Sequence, residues 1–331
     1  MNKEKKYFAA ANTTQGFVSY YNDIFKECDS VYVIKGGSGT GKSRFMKEVA
    51  EHAKENRADV EYFYCSFDPL SLDGIIINGE TAVIDGTSPH VYEPTLPGVK
   101  ENLVDLGAFW DSAALKENKA EIESFINSKK ACFEAAYSYL SAVGELDRSR
   151  NKILRKRIDK DKISAFASRL MTELKPLRSG KAKVRITSAL GRSGKVNFDT
   201  YKDIATQSVA IGNEFGEGHI YLETIKNEAE RFGIPVTVSY SPLYPNRLDR
   251  LLVGGEIEIF LEEISNIDLS DSEAKEIKEI NHISESIIKK AEEHFDAASR
   301  IHFEIEKIYV SAMDFSKKEK FTREFIEKMR F

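Results

Sequence analysis

Eight residues near the N-terminus, Gly36-Gly37-Ser38-Gly39-Thr40-Gly41-Lys42-Ser43, follow the order glycine, four residues, glycine, lysine, serine. That order suits the holding of a polyphosphate. Glycines reach positive φ without a Cβ penalty, so successive amides from Gly37 to Lys42 can close around an anion at a helix N-terminus. Lys42 then sets its ammonium against the terminal phosphates, and the Ser43 hydroxyl is a ligand for Mg2+. ATP and Mg2+ are the cofactors this chemistry implies.

Such a loop works only between a buried strand and a helix. Val31-Tyr32-Val33-Ile34 is a short β-branched run that reads as a buried parallel strand. Phe45, Met46, Val49 and Ala53 recur at helical spacing after the loop, with Lys47, Glu48, Glu51 and Lys54 opposite. The Mg2+ also needs a carboxylate at the end of a neighbouring strand. Thr81-Ala82-Val83-Ile84-Asp85 ends in one, and Asp85 is the favoured metal residue. Asp68, after the strand Val60–Cys65, is its rival; either one also suits a plain turn cap before Gly or Pro. Thr87, His90 and Glu93 follow on a loop from the Asp85 strand. His90 or Glu93 is placed to sense the nucleotide or act as general base, although a loop histidine is more often a simple hydrogen-bonding group. The expected catalytic set is Lys42, Asp85 and His90.

Residues 33–80 and 209–256 share ten identities at an ungapped offset of 176, among them Gly36/Gly212, Tyr64/Tyr240 and Asp73/Asp249. Opposite the first loop stands Gly212-Asn213-Glu214-Phe215-Gly216-Glu217-Gly218-His219. Gly218 replaces the lysine and His219 the serine, while Glu214 and Glu217 repel an anion, so no nucleotide is expected there. Each half ends in a long helical segment, Asp111–Lys175 and Ser272–Phe331, with apolar stripes such as Ile122, Ile126, Phe133, Tyr137 and Leu140 that read as packing faces. A turn-rich break at Pro176–Gly180 sets the expected domains at 1–177 and 178–331. The fold class expected is α/β: a P-loop NTPase with a mostly parallel sheet flanked by helices, duplicated, each unit carrying an appended helical segment.

The 331 residues carry a net charge of −5 and 31% charged side chains, an ordinary globular composition. No apolar run approaches the roughly 18 residues of a membrane span, and the N-terminus lacks a secretory pattern, so a cytoplasmic protein without membrane contact is expected. Three dispersed cysteines, Cys28, Cys65 and Cys132, argue against a disulfide framework or a clustered metal site. Residues 145–185 hold 14 basic against 5 acidic side chains, and residues 256–306 hold 15 acidic against 5 basic. The two segments either attract each other or form solvated faces.

The series Lys35–Ser43, Cys65–Gly74 and Asp85–His90, followed by a helical region, resembles a group of bacterial tandem P-loop ATP-binding proteins described as ATPases or nucleotide-kinase-like. The resemblance covers both halves and implies a P-loop in each; this chain departs from it at Gly212–His219. The leading expectation is Mg2+-dependent ATP hydrolysis in the first unit, with the second unit regulatory, structural or bound to a protein partner. Arg148, Arg150, Arg155 and Arg157 are candidate arginine fingers. A small-molecule or nucleoside kinase is the alternative, and a nucleotide-gated module contacting nucleic acid through residues 145–185 is the third.

Overall fold

The computed structural model describes residues 4–330 apart from 173, 175–181 and 266. The break expected at Pro176–Gly180 lies outside the described residues. The first half runs β1 (Lys5–Phe8), the hairpin β2 (Ala10–Thr13) and β3 (Gly16–Ser19), α1 (Tyr21–Phe25), β4 (Ser30–Lys35), α2 (Lys42–Glu55), β5 (Val60–Tyr64), β6 (Leu72–Ile77), β7 (Thr81–Asp85) and β8 (Glu101–Asp105). A short 3-10 turn at Leu106–Phe109 precedes α3 (Ser112–Glu117), α4 (Lys119–Leu154) and α5 (Lys160–Thr172). The second half runs β9 (Lys183–Val184), β10 (Ser188–Gly191), β11 (Gly194–Asn197), α6 (Thr200–Ile204), β12 (Gln207–Gly212), α7 (Gly218–Arg231), β13 (Val236–Tyr240), β14 (Leu248–Val253), β15 (Ile257–Glu262), α8 (Asp271–Ser311) and α9 (Phe315–Lys328).

The strands form an α/β architecture whose main sheet is rich in parallel pairs. Its order is β1-β5-β6-β7-β4-β8. β1 with β5, β7 with β4 and β4 with β8 are parallel, whereas β5, β6 and β7 form an antiparallel meander joined by short loops without a crossover helix. The expected parallel pairing is thus present at both edges of the sheet, three of its five pairings, and interrupted by the central meander. The second sheet has the order β12-β15-β14-β13-β9, with every pairing in the direction of its counterpart in the first. Register shifts fall between Phe63 and Tyr64 and between Ser239 and Tyr240, 176 residues apart.

The helical segments are interrupted. Asp111 accepts from the amides of Ala113 and Ala114 and starts α3, and the Asp314 side chain accepts the Lys317 amide and starts α9. In α4, Ala136, Leu140, Val143, Asp147, Asn151 and Leu154 are buried at steps of three and four residues. In α8 the buried residues Ala291, Phe295, Ala298 and Ile305 fall at steps of four, three and seven, the same helical phase. That spacing lets two helices pack along a seam. Contacts of Lys129 with His302, Tyr139 with His294 and Arg157 with Glu273 make the pair antiparallel. Ile126, expected in the packing stripe, is instead 48% exposed, and it lines a cavity beside the seam.

Two larger cores hold the sheets. One runs from Phe8, Phe63 and Ile84 to Ile186, Leu251 and Ile259 and so joins the halves. The other lies under α2, where Phe45, Met46 and Val49 meet Ile34, Ile75 and Val83. Each fully buried side chain of this size contributes about 1.5–3 kcal/mol. Phe321 and Phe325 of α9 close the second core against Phe45. α5 packs against α7 in return, so the last helix of each half rests on the other half.

Candidate functional site

The loop Gly36–Ser43 leaves β4 and enters α2, as its flanks require. Gly39 and Gly41 have φ of 73° and 77°, which a side chain resists. A Cβ on Gly39 would also stand 3.0 Å from the Glu306 carbonyl of α8, so the loop is packed against the second half of the chain. Among the described residues, nothing accepts a hydrogen bond from the amides of Gly37, Ser38, Gly39, Thr40 or Gly41. These donors sit at the N-terminus of α2, where the peptide dipoles favour an anion.

Lys42 Nζ donates to Gly36 O at 2.9 Å and Gly37 O at 2.8 Å and stands 3.5 Å from Asp85 Oδ2. β7 neighbours β4 in register, Ile34 opposite Asp85, which brings the acid to the loop. Asp85 Oδ1 accepts the Thr87 amide at 2.8 Å, and the Thr87 hydroxyl donates to Gly36 O at 2.8 Å. Ser43 Oγ accepts the Leu72 amide at 2.9 Å, leaving a lone pair free for a ligand. A hydroxyl and a carboxylate are hard oxygen donors, so this pair fits Mg2+.

Gly37 to Ser43, Asp85 and His90 line one cavity of about 560 Å³. The carbonyl of Gly36 lies behind them as the acceptor for Lys42 and Thr87. Asp68 is also on the wall, but it is engaged by Arg192 Nη2 at 2.7 Å, the Ser71 hydroxyl at 3.0 Å and the Leu70 amide at 3.1 Å. Glu93 is exposed and does not line the cavity. His90 is 6% exposed, stacked on Tyr21 and edge-on to Phe17, with Nε2 3.2 Å from Asp73 Oδ2. Asp73 Oδ2 and, on the other side of the imidazole, His90 Nδ1 are both buried without a hydrogen bond among the described residues. Burial, together with the Asp85 charge, raises the Asp73 carboxyl to about 6 even though His90 acts to lower it.

Several wall residues carry no local sequence signal. Lys129 of α4 and His302 of α8 meet across the cavity with Nζ 3.1 Å from Nδ1. Burial, with the charges of Lys129 and Lys42, lowers His302 to about 4, and burial also lowers Lys129. His302 is therefore a neutral acceptor for the ammonium. Asn12 and Tyr137 share a hydrogen bond of 2.8 Å on the same wall. The antiparallel packing of α4 and α8 joins Lys129 to His302, and the contact of α4 with β2 joins Asn12 to Tyr137. None of Arg148, Arg150, Arg155 and Arg157 lines the cavity. Arg148 pairs with Glu145, Arg150 with Asp147, and Arg157 with Glu273, while Arg155 is exposed.

The loop Gly212–His219 is closed by its own side chains. Asn213 Oδ1 accepts the Gly218 amide at 2.9 Å, and Glu217, fully buried, accepts the Phe215 amide at 3.0 Å. The Arg150 guanidinium covers Gly216, where a Cβ would stand 2.7 Å from its Cζ. Glu214 faces outward to Lys278 at 3.4 Å. Glu217 thus offers its carboxylate to a loop amide, a different role from the repulsion expected of it.

Compared with known proteins, the chain matches no family model, no curated protein and no solved structure. Among the described residues, no helix is long and apolar enough to cross a membrane.

Proposed function

We propose that the chain is an ATP-binding P-loop NTPase made of a duplicated unit, hydrolysing ATP with Mg2+ in its first half while the second half is regulatory or structural. The observation that carries this reading is the row of unpaired amides at Gly37–Gly41, flanked by Lys42 at the start of α2 and, 3.5 Å from its ammonium, Asp85 at the end of β7, the parallel neighbour of β4. The matching strand orders and register shifts support the duplication. The bound polyphosphate exchanges for the two carbonyls that Lys42 holds, and the ammonium then balances charge developing on the transferred phosphoryl group. Ser43 and Asp85 would hold Mg2+, which would supply positive charge for phosphoryl transfer. Thr87 fixes the loop through Gly36 and keeps Asp85 in place through its amide. His90, closed in by Tyr21, Phe17 and Asp73, has no assigned step in the reaction.

Lys42→Ala should abolish ATP binding in titration calorimetry while the fold persists by circular dichroism; undiminished affinity would overturn the site. Asp85→Asn should remove Mg2+-dependent phosphate release while Asp68→Asn retains most of it, and the reverse result would move the metal to Asp68.

A second reading, phosphoryl transfer to a small acceptor, is favoured by the cavity itself. Beyond the loop it is walled by Asn12, Phe17, Phe133 and Tyr137, a partly aromatic chamber that a water nucleophile does not need. Phosphate release from ATP alone supports hydrolysis; ADP formation only with an added acceptor supports the kinase.

A further inference from the structure

Cys65, at the end of β5, Asp73 in β6 and His90 in the loop after β7 converge on the wall of the large cavity. Their ligand atoms all lie within 4.8 Å of one another, and among the described residues no other cysteine, histidine or carboxylate groups of three converge so closely. We propose that these three side chains bind one Zn2+ ion whose remaining coordination position opens into the cavity.

The donor set selects the ion. A thiolate, an imidazole and a carboxylate suit a borderline-soft metal, whereas Mg2+ takes oxygen donors. On a tetrahedral Zn2+, nitrogen and oxygen ligands stand about 3.3 Å apart, and a sulfur stands about 3.5 Å from either. The 3.2 Å between His90 Nε2 and Asp73 Oδ2 matches that separation, and the Cys65 thiol lies within 4.8 Å of both. A second observation points to a ligand. Asp73 is 4% exposed, and its Oδ2, beside the imidazole, accepts no hydrogen bond among the described residues. An acceptor left so is costly without a cation to satisfy it.

The second half provides a contrast. Its residues at the Cys65 and Asp73 positions are Ser241 and Asp249, and Asp249 accepts a 2.7 Å hydrogen bond from Ser188 at the start of β10. The matching place at the start of β2 is Ala10, which offers Asp73 no donor. One acid is satisfied by a hydroxyl, and the other is left to a metal. Three protein ligands with one open position is also the arrangement of zinc sites that bind substrate or water. The proposal is independent of the nucleotide reading and stands if Lys42→Ala has no effect on ATP affinity.

The test is Co2+ or Zn2+ alone added to the metal-stripped full-length chain. One equivalent of Co2+ should produce a near-ultraviolet thiolate-to-metal charge-transfer band, which Zn2+ abolishes by displacement. The band should be lost in Cys65→Ser and persist in Cys132→Ser. His90→Gln keeps the thiol and should lower Co2+ affinity. X-ray absorption at the zinc edge of the unaltered chain needs no variant and should show one sulfur among nitrogen and oxygen neighbours. A band that survives Cys65→Ser, Co2+ affinity unchanged in His90→Gln, or a zinc shell without sulfur would overturn the proposal.

Discussion

Residues that share a chemical type behave differently according to where the fold sets them, and the histidines show it. His302 and His219 are each lowered from 6.5 to about 4, first by burial and then by neighbouring cations: Lys129 and Lys42 for His302, Arg247 for His219. Both are neutral in the folded chain at neutral pH. Between pH 6.5 and 4 the unfolded chain therefore binds protons that the folded chain does not, and stability falls as the pH falls. Each histidine contributes a slope of at most about 1.4 kcal/mol per pH unit in that window. Urea unfolding of His302→Gln between pH 4 and 7 should show that slope reduced relative to the parent. An unchanged slope would mean that His302 is charged in the folded state. No sequence pattern announces this depression, because it comes first from burial between packed elements and then from Lys129, on a helix more than 170 positions away. Lys42, Ser43 and Asp85, by contrast, were legible from spacing alone, since strand, loop and helix follow one another in the chain.

At the scale of elements, β4, α2, β5 and β7 were readable from apolar runs and glycine-rich turns, and the structure has a strand or helix at each. The long helical segments were readable as helix, but their breaks were not. Pro-free apolar periodicity passes through Asn118 and Asp314, yet Asn118 ends α3 by donating its side-chain amide to the Ala114 carbonyl, and the Asp314 side chain captures the Lys317 amide that begins α9. The second loop was legible as lacking its lysine, whereas its internal closure required coordinates. Glu217 is fully buried with an amide for its partner, so Glu217→Ala leaves the Phe215 donor without its acceptor. The expected cost is about 1–3 kcal/mol in urea unfolding. Removing the acid does not restore a lysine at Gly218, so nucleotide stoichiometry should remain one per chain by titration calorimetry. Two nucleotides bound by Glu217→Ala would mean that the carboxylate alone had been blocking the second loop.

For the molecule as a whole, the central question is whether the halves stand independently. The apolar core that joins them contains a buried ion pair: Glu61 of β5 accepts from Arg185 Nη2 at 2.6 Å and from Nε at 3.0 Å. Arg185 also lies 5.2 Å over the Phe63 ring. Burial alone would raise the Glu61 carboxyl, but the Arg185 and Lys183 charges outweigh it and hold the group below its ordinary value. Its stabilising contribution is therefore present above the unfolded carboxylate range and lost as the pH falls through the lower folded value. Glu61→Leu leaves a guanidinium buried without its partner, which costs about 3–5 kcal/mol, whereas the double change Glu61→Leu with Arg185→Met removes both charges and should recover most of that loss. Because α5 rests on α7, α9 rests on α2 and the core is shared, neither half can open without uncovering the other. Trp110, the single tryptophan, packs on Tyr309 of the opposite half, so its fluorescence reports that contact. In the parent chain its urea transition should coincide with the loss of far-ultraviolet circular dichroism, as a single cooperative unit requires. If the fluorescence change precedes the loss of helix, the halves separate before they unfold, and the shared core is a docking surface between two stable bodies.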